Sequence, residues 1–86
     1  MEQQTLNKRR PAMGKWAFLT TARIAAGLTQ TEFAVRCDCV QTQVSRWERG
    51  EFPPNLQQIA VMAQVLEIPP QKMAAEAVTF FGNNYN

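Results

Sequence analysis

A helix stop followed at once by a helix start, at residues 27–32, constrains this fold more than any other feature of the sequence. Gly27 ends a helix-type segment, because glycine adopts the left-handed backbone conformation at little cost. Two residues later Thr29 stands three positions before Glu32, which is the spacing of a capping box at a helix N-terminus. The sequence therefore predicts one helix over residues 15–26 and a second over residues 30–37, joined by a very short connection.

Three further helices are predicted in the rest of the chain. Asp38 follows the second helix where a tight turn is needed, and aspartate tolerates left-handed geometry better than most residues. A third helix is predicted over residues 41–49 and ends at Gly50, a fourth follows the cap Asn55, and a fifth covers residues 71–80. The apolar faces of the last two helices are predicted to comprise Leu56, Ile59, Met62, Ala63 and Leu66, and Met73, Ala74, Ala77, Val78 and Phe81. Since no segment has a strand pattern, the predicted fold class is all-α with five helices.

The length of 86 residues is enough for one domain with a modest core. We expect a flexible basic N-terminal arm over residues 1–14, a helical domain over residues 15–81 and a polar C-terminal tail over residues 82–86. No apolar run approaches the roughly 18 residues of a membrane-spanning helix, and the first residues lack a signal-peptide pattern. A cytoplasmic protein without membrane contact is therefore expected.

The positive charge is concentrated in one half of the chain. Residues 1–50 contain eight basic and four acidic residues, whereas residues 51–86 contain one basic and three acidic residues. Three of the basic residues, Lys8, Arg9 and Arg10, are consecutive in the arm. This asymmetry favours a polyanionic partner for the first half, and the alternative is ordinary solvated surface charge.

The residues that most enzymes and metal sites need are missing. The chain has no histidine and only two cysteines, Cys37 and Cys39, which are too few ligands for a zinc site. Their spacing disfavours a mutual disulfide, so we expect reduced, partly buried thiols, with redox sensing as the alternative. Glu48 and Glu51 are the only close carboxylates, and no glycine-rich phosphate loop is present. The sequence thus predicts neither an enzyme nor a bound metal or cofactor.

The two tryptophans are interpreted as core residues. Trp47 points inward by its position in the third helix, and Trp16, at the start of the first helix, is expected to pack against the fifth. The alternative for Trp16 is a stacking platform for single-stranded nucleic acid.

The outward face of the third helix combines hydrogen-bonding side chains without an acidic residue. With Val44, Trp47 and Glu48 directed inward, the outward residues are Gln41, Thr42, Gln43, Ser45, Arg46 and Arg49. Glutamine can pair with adenine, arginine with guanine, and a threonine methyl group can pack on thymine. An ordinary solvated helix face would mix in Glu and Asp. The pattern therefore favours a helix that contacts base edges in the major groove.

Residues 19–66 resemble the lambda-repressor-like family of helix-turn-helix proteins, the Cro/C1 type. The similarity lies in Gly27-Leu28-Thr29-Gln30-Thr31-Glu32-Phe33-Ala34, in Val44-Ser45-Arg46-Trp47-Glu48-Arg49-Gly50, and in Pro54-Asn55-Leu56 with Ile59, Ala63 and Leu66. The resemblance implies a five-helix lambda-repressor-like DNA-binding domain. The chain departs from the family pattern at Asp38, where glycine is usual, and at Val40, where a small hydroxyl residue usually caps the third helix.

The resemblance also implies roles for individual residues. Gln30 would contact a phosphate and support Gln41. Bases would be contacted by Gln41, Thr42 and Arg46, while Gln43 would lie at the groove wall and Arg49 would contact the DNA backbone. Arg23 and Glu48 would form a partly buried ion pair that locks the first helix to the third.

The function expected from these features is a sequence-specific double-stranded DNA-binding transcriptional regulator, a repressor that binds a near-palindromic operator as a homodimer. Such a protein would be nucleoid-associated when bound to DNA. The dimer surface is expected in the fifth helix, the tail or the loop after Gly50. The alternative is an antitoxin-type module that binds a partner protein through the fifth helix and Phe80-Phe81, and autoregulates through the same domain.

Overall fold

The computed structural model describes residues 14–82, which form five α-helices and no strand. The helices are α1 (Ala17–Ala25), α2 (Gln30–Arg36), α3 (Gln41–Glu48), α4 (Leu56–Leu66) and α5 (Pro70–Phe81). The predicted all-α, five-helix fold is confirmed. The predicted arm, including Lys8, Arg9 and Arg10, falls outside the described residues except for Gly14, and so does the predicted tail except for Gly82.

Capping boxes fix the starts of two helices. At α2 the Thr29 hydroxyl accepts from the Glu32 backbone N–H at 3.0 Å, and the Thr29 N–H donates to the Glu32 carboxylate at 2.9 Å. At α4 Asn55 and Gln58 exchange the same two bonds, each at 2.8 Å. Each box satisfies two backbone N–H groups that would otherwise lack a partner.

The turn between α2 and α3 depends on a left-handed residue. Asp38 has φ 60°, which confirms the expectation for this position. The backbone then reverses so that the Cys39 N–H donates to the Ala34 carbonyl at 2.9 Å. The next helix starts without help from a side chain, because Val40 occupies the N-cap and makes no capping bond.

One buried cluster holds the helices together. Its members are Trp16, Leu19, Phe33, Ala34, Val44, Trp47, Ile59, Met62, Ala63, Met73, Ala77 and Phe81. The Trp16 ring stacks on Phe80 at a centroid distance of 6.2 Å and meets Phe81 edge-on at 5.2 Å. This contact ties the start of the domain to α5, as expected from the sequence, and adds to the stabilisation from burial of apolar surface.

Two predicted core residues lie on the surface instead. Leu56 is 80% exposed, because it is the first residue of α4 and helical side chains lean toward the N-terminus, beyond the packed turns. Val78 is 57% exposed, since the buried side of α5 is centred on Met73, Ala77 and Phe81 and Val78 lies on its flank. Phe81 is only 1% exposed and closes the core. The antitoxin alternative instead expects this side chain to contact a partner protein.

The end of α3 is fixed by a Schellman motif. The Gly50 N–H donates to the Trp47 carbonyl and the Glu51 N–H donates to the Arg46 carbonyl, both at 3.0 Å. Gly50 is buried with φ 72°, and a Cβ atom there would collide with the Gly14 carbonyl oxygen and lie 3.1 Å from the Phe80 ring. Only glycine at position 50 therefore lets Gly14 pack against the end of α3.

Replacement of Gly50 tests this close approach. We expect Gly50→Ala to lower the free energy of unfolding by about 2 kcal/mol or more, through left-handed strain and the steric conflict with Gly14. Gly27→Ala is the matched control, because Gly27 has φ 78° but open space around a Cβ atom, and it should cost only about 1 kcal/mol, from left-handed strain alone. Urea unfolding of both variants measures the difference, and equal losses would contradict the role given to the Gly14 contact.

Candidate nucleic-acid interface

The outward face of α3 presents polar side chains to solvent. Gln41, Thr42, Arg46 and Arg49 are exposed, and Gln43 and Ser45 are partly exposed. On the opposite face Val44, Trp47 and Glu48 are buried. An eight-residue helix is about 12 Å long, so these polar groups form a compact row beside the α2–α3 turn. We call the six outward residues the α3 row.

A buried carboxylate lies directly beneath this row. Glu48 is 5% exposed, and its oxygens accept from Arg23 Nε at 2.6 Å and Nη2 at 3.2 Å, and from the Thr20 hydroxyl at 3.0 Å. Arg23 Nη1 also donates to the Leu28 carbonyl at 2.8 Å, which orients the guanidinium. The ion pair implied by the resemblance is thus present in the geometry, and it joins α1 to α3.

Glu48 is ionised at neutral pH despite its burial. Burial alone raises the pKa of this carboxyl, but hydrogen bonds from Arg23, Gln30 and Thr20 and the charge of Arg23 outweigh it, so the pKa of Glu48 is lowered. A buried charge of this kind is tolerated because it is paired and its oxygens are satisfied.

The hydrogen bonds continue from Glu48 to the α3 row. Gln30 Nε2 donates to Glu48 Oε1 at 3.0 Å, and Gln41 Nε2 donates to Gln30 Oε1 at 2.6 Å. The Gln30 amide bridges the buried charge and the exposed amide, so the orientation of both amides is set by the carboxylate. Gln41 keeps one N–H and its carbonyl oxygen free of these bonds. Those are the two groups that a glutamine uses to pair with adenine.

Two residues that were not predicted for the site, Glu51 and Phe52, contact the two arginines of the α3 row. Arg49 Nε donates to Glu51 Oε2 at 2.8 Å, and Arg46 Nε lies 4.0 Å from Glu51 Oε1. The Arg46 guanidinium carbon also lies 5.8 Å from the centre of the Phe52 ring, within cation–π range. Arg49 Nη1 donates in addition to the Ser45 hydroxyl.

The cysteines lie in the α2–α3 turn as free thiols. Burial and, to a smaller extent, neighbouring Cys39 raise the pKa of Cys37 to about 12, and burial and Asp38 raise the pKa of Cys39. Both therefore stay protonated at neutral pH, which disfavours the redox-sensing alternative because the thiolate is the reactive form.

Residues 14–82 contain neither a candidate metal site nor a candidate membrane-spanning helix. No group of three His, Cys, Asp or Glu residues in this range could hold a metal ion. The helices of the same range are also too short or too polar to cross a membrane.

The fold and the α3 row together define a helix-turn-helix protein. A family model described as helix-turn-helix, of the Cro/C1 type, matches residues 19–73, which is more than half of the chain. The chain belongs to this family of DNA-binding regulatory domains, which is not an enzyme family. No curated protein matches the chain.

The lowered pKa of Glu48 predicts a pH-dependent stability. A carboxyl whose pKa is lower in the folded state stabilises the fold above its unfolded pKa of about 4.3, and this contribution is lost as the pH falls. Glu48→Gln should therefore cost about 3 kcal/mol at pH 7, because it leaves Arg23 buried without a counter-charge, and clearly less at about pH 3.

Urea unfolding of both proteins over this pH range measures the effect. Glu76→Gln is the control, because Glu76 forms only an exposed pair with Lys72 and should cost less than about 0.5 kcal/mol. A cost of Glu48→Gln that does not change with pH would show that the charge of Glu48 does not contribute to stability.

Proposed function

We propose that this protein is a sequence-specific double-stranded DNA-binding transcriptional repressor that inserts α3 into the major groove. The observation that carries the proposal is the α3 row, whose first residue, Gln41, is oriented by Gln30 and the buried Glu48 carboxylate. A side chain fixed before binding loses less conformational freedom when it pairs with a base. Family membership supports DNA binding, and the α3 row supports sequence-specific contacts.

Within this proposal the side chains divide into two groups. Gln41, Thr42 and Arg46 contact base edges, since they are exposed and their chemistry matches adenine, thymine and guanine. Gln30, Gln43 and Arg49 contact phosphates or the groove wall, and so position the helix without reading sequence.

The basic cluster Lys8-Arg9-Arg10 is proposed to contact phosphates. The path of the chain supports this, because the Trp16 N–H donates to the Glu48 carbonyl at 2.8 Å and Gly14 packs against Gly50. Both contacts place the start of the domain at the C-terminal end of α3. In the sequence the cluster ends four residues before Gly14, so the proposal places its contacts on phosphates beside the groove that α3 enters.

The proposed repressor acts as a homodimer on a near-palindromic operator. One module of this kind buries roughly 600–1,000 Å² on DNA, which is usually too little for tight specific binding. Two modules related by a two-fold axis would place their α3 helices one DNA turn apart, about 34 Å. The dimer surface is proposed in α5, the tail or the loop after Gly50. Two exposed apolar side chains support the first and the last of these, Val78 of α5 and Leu56 directly after the loop.

The protein is proposed to act in the cytoplasm, associated with the nucleoid when bound to DNA. We do not favour the antitoxin alternative, because Phe81, one of the two aromatic residues assigned to partner binding, belongs to the core.

Arg46→Ala tests the assignment of a base contact. We expect this variant to lose about 1–3 kcal/mol of discrimination at particular base pairs, because a bidentate contact to one base is removed. The measurement is competition binding between a preferred site and its single-base variants.

The control is a triple variant with Lys8, Arg9 and Arg10 each replaced by Gln. It should bind all sequences more weakly and show a flatter salt dependence, since phosphate contacts carry no sequence information. If Arg46→Ala instead weakens all sequences by one common factor, Arg46 contacts the DNA backbone and not a base.

A further inference from the structure

The backbone at the end of α3 determines where Glu51 lies. In a Schellman motif the second residue beyond the C-cap, here Arg49, folds back beside the residue five positions earlier, and an apolar contact frequently joins the two side chains. Here those residues are Glu51 and Arg46, joined by the backbone bond from the Glu51 N–H to the Arg46 carbonyl. Since Gly50 is buried and confined by Gly14 and Phe80, the fold itself places a carboxylate beside the last turn of α3.

The Glu51 carboxylate forms ion pairs with both arginines of the α3 row. Glu51 Oε2 accepts from Arg49 at 2.8 Å, and Oε1 lies 4.0 Å from Arg46 Nε. Phe52, the next residue of the loop that contains Glu51, faces the guanidinium of Arg46. The hydrogen bond from Arg49 lowers the pKa of Glu51, so the carboxylate is ionised at neutral pH. Arg46 and Arg49 thus have an internal anion where DNA would otherwise supply a phosphate.

We propose that Glu51 is a specificity-determining residue, which holds Arg46 and Arg49 as an internal substitute for phosphate and so weakens binding to non-operator DNA. This inference rests on the proposed function. On non-operator DNA both arginines could gain only phosphate contacts, which Glu51 already replaces. On an operator Arg46 gains a bidentate base contact that Glu51 cannot supply, so the competition costs less there.

Glu51 also limits the conformations of the two arginines. A free arginine side chain samples many rotamers and can follow the phosphate backbone at any register. With its Nε near Glu51 and its guanidinium over Phe52, Arg46 keeps a restricted set of directions. Glu51 is a positioning residue in this sense, and it acts on DNA only through Arg46 and Arg49.

Glu51→Gln tests the proposal, because it removes the charge and keeps the size of the side chain. The Schellman bond uses the backbone of residue 51, and the side chain is exposed, so the variant should fold. We expect it to bind a scrambled duplex about 3- to 10-fold more tightly. The slope of log K against log salt should steepen by about 1 to 2, since up to two further phosphates are neutralised. Affinity for the preferred site of the unchanged protein should rise by a smaller factor, so the specificity ratio falls.

Glu67→Gln is the matched control. Glu67 is an exposed carboxylate at the end of α4 that forms no ion pair within residues 14–82, and its replacement changes the net charge by the same amount. It should alter neither the specificity ratio nor the salt slope, because Glu67 forms no ion pair with Arg46 or Arg49, which pair with Glu51. The effect of Glu51→Gln should also shrink when Arg49 is already replaced by Gln.

The outcomes separate this inference from the proposed function. Both the proposed function and the role of Glu51 are supported if the unchanged protein prefers one site, Glu51→Gln loses part of this preference and Glu67→Gln keeps it. A preference that Glu51→Gln leaves intact, or an equal gain on both duplexes, overturns the role of Glu51 alone. If the unchanged protein has no sequence preference, the proposed function fails and the inference fails with it.

Discussion

The buried carboxylate of Glu48 is the interaction on which the rest of the structure depends. Its side chain accepts hydrogen bonds from Thr20 and Arg23 of α1 and from Gln30 of α2, and its backbone carbonyl accepts from Trp16. One residue of α3 therefore connects the first three helices and the start of the domain. Because an unpaired charge at this depth is costly, arrangements of the helices that break the set are strongly disfavoured.

The hydrogen bonds of Glu48 also connect the buried core to the α3 row, the surface that we propose contacts DNA. Gln30 carries the orientation imposed by Glu48 outward to Gln41 at the first turn of α3. At the other end of α3, the left-handed backbone at Gly50 sets the position of Glu51 beside the arginines. Gln41 at one end of α3 and Arg49 at the other are thus held by hydrogen bonds before any partner arrives, which lowers the entropy cost of binding.

Local signals in the sequence predicted the five helices, because a capping box such as that at Thr29 and a left-handed turn residue such as Asp38 need only their neighbours. The ends of apolar faces were less predictable. Leu56 and Val78 fit the helical period but lie outside the packed area, since periodicity gives the direction of a side chain and not whether another helix covers it. The position of Glu51 could have been inferred from the glycine before it, but only once the helix end was assigned as a Schellman motif.

Selection of bound sites from a random pool of double-stranded DNA tests most directly whether α3 recognises base sequence. We expect enrichment of two inverted half-sites whose centres lie one helical turn apart, about 34 Å, with fixed bases where Gln41, Thr42 and Arg46 reach the major groove. A bound pool that remains random in sequence, despite salt-dependent binding, would show that the protein contacts DNA only through its phosphates.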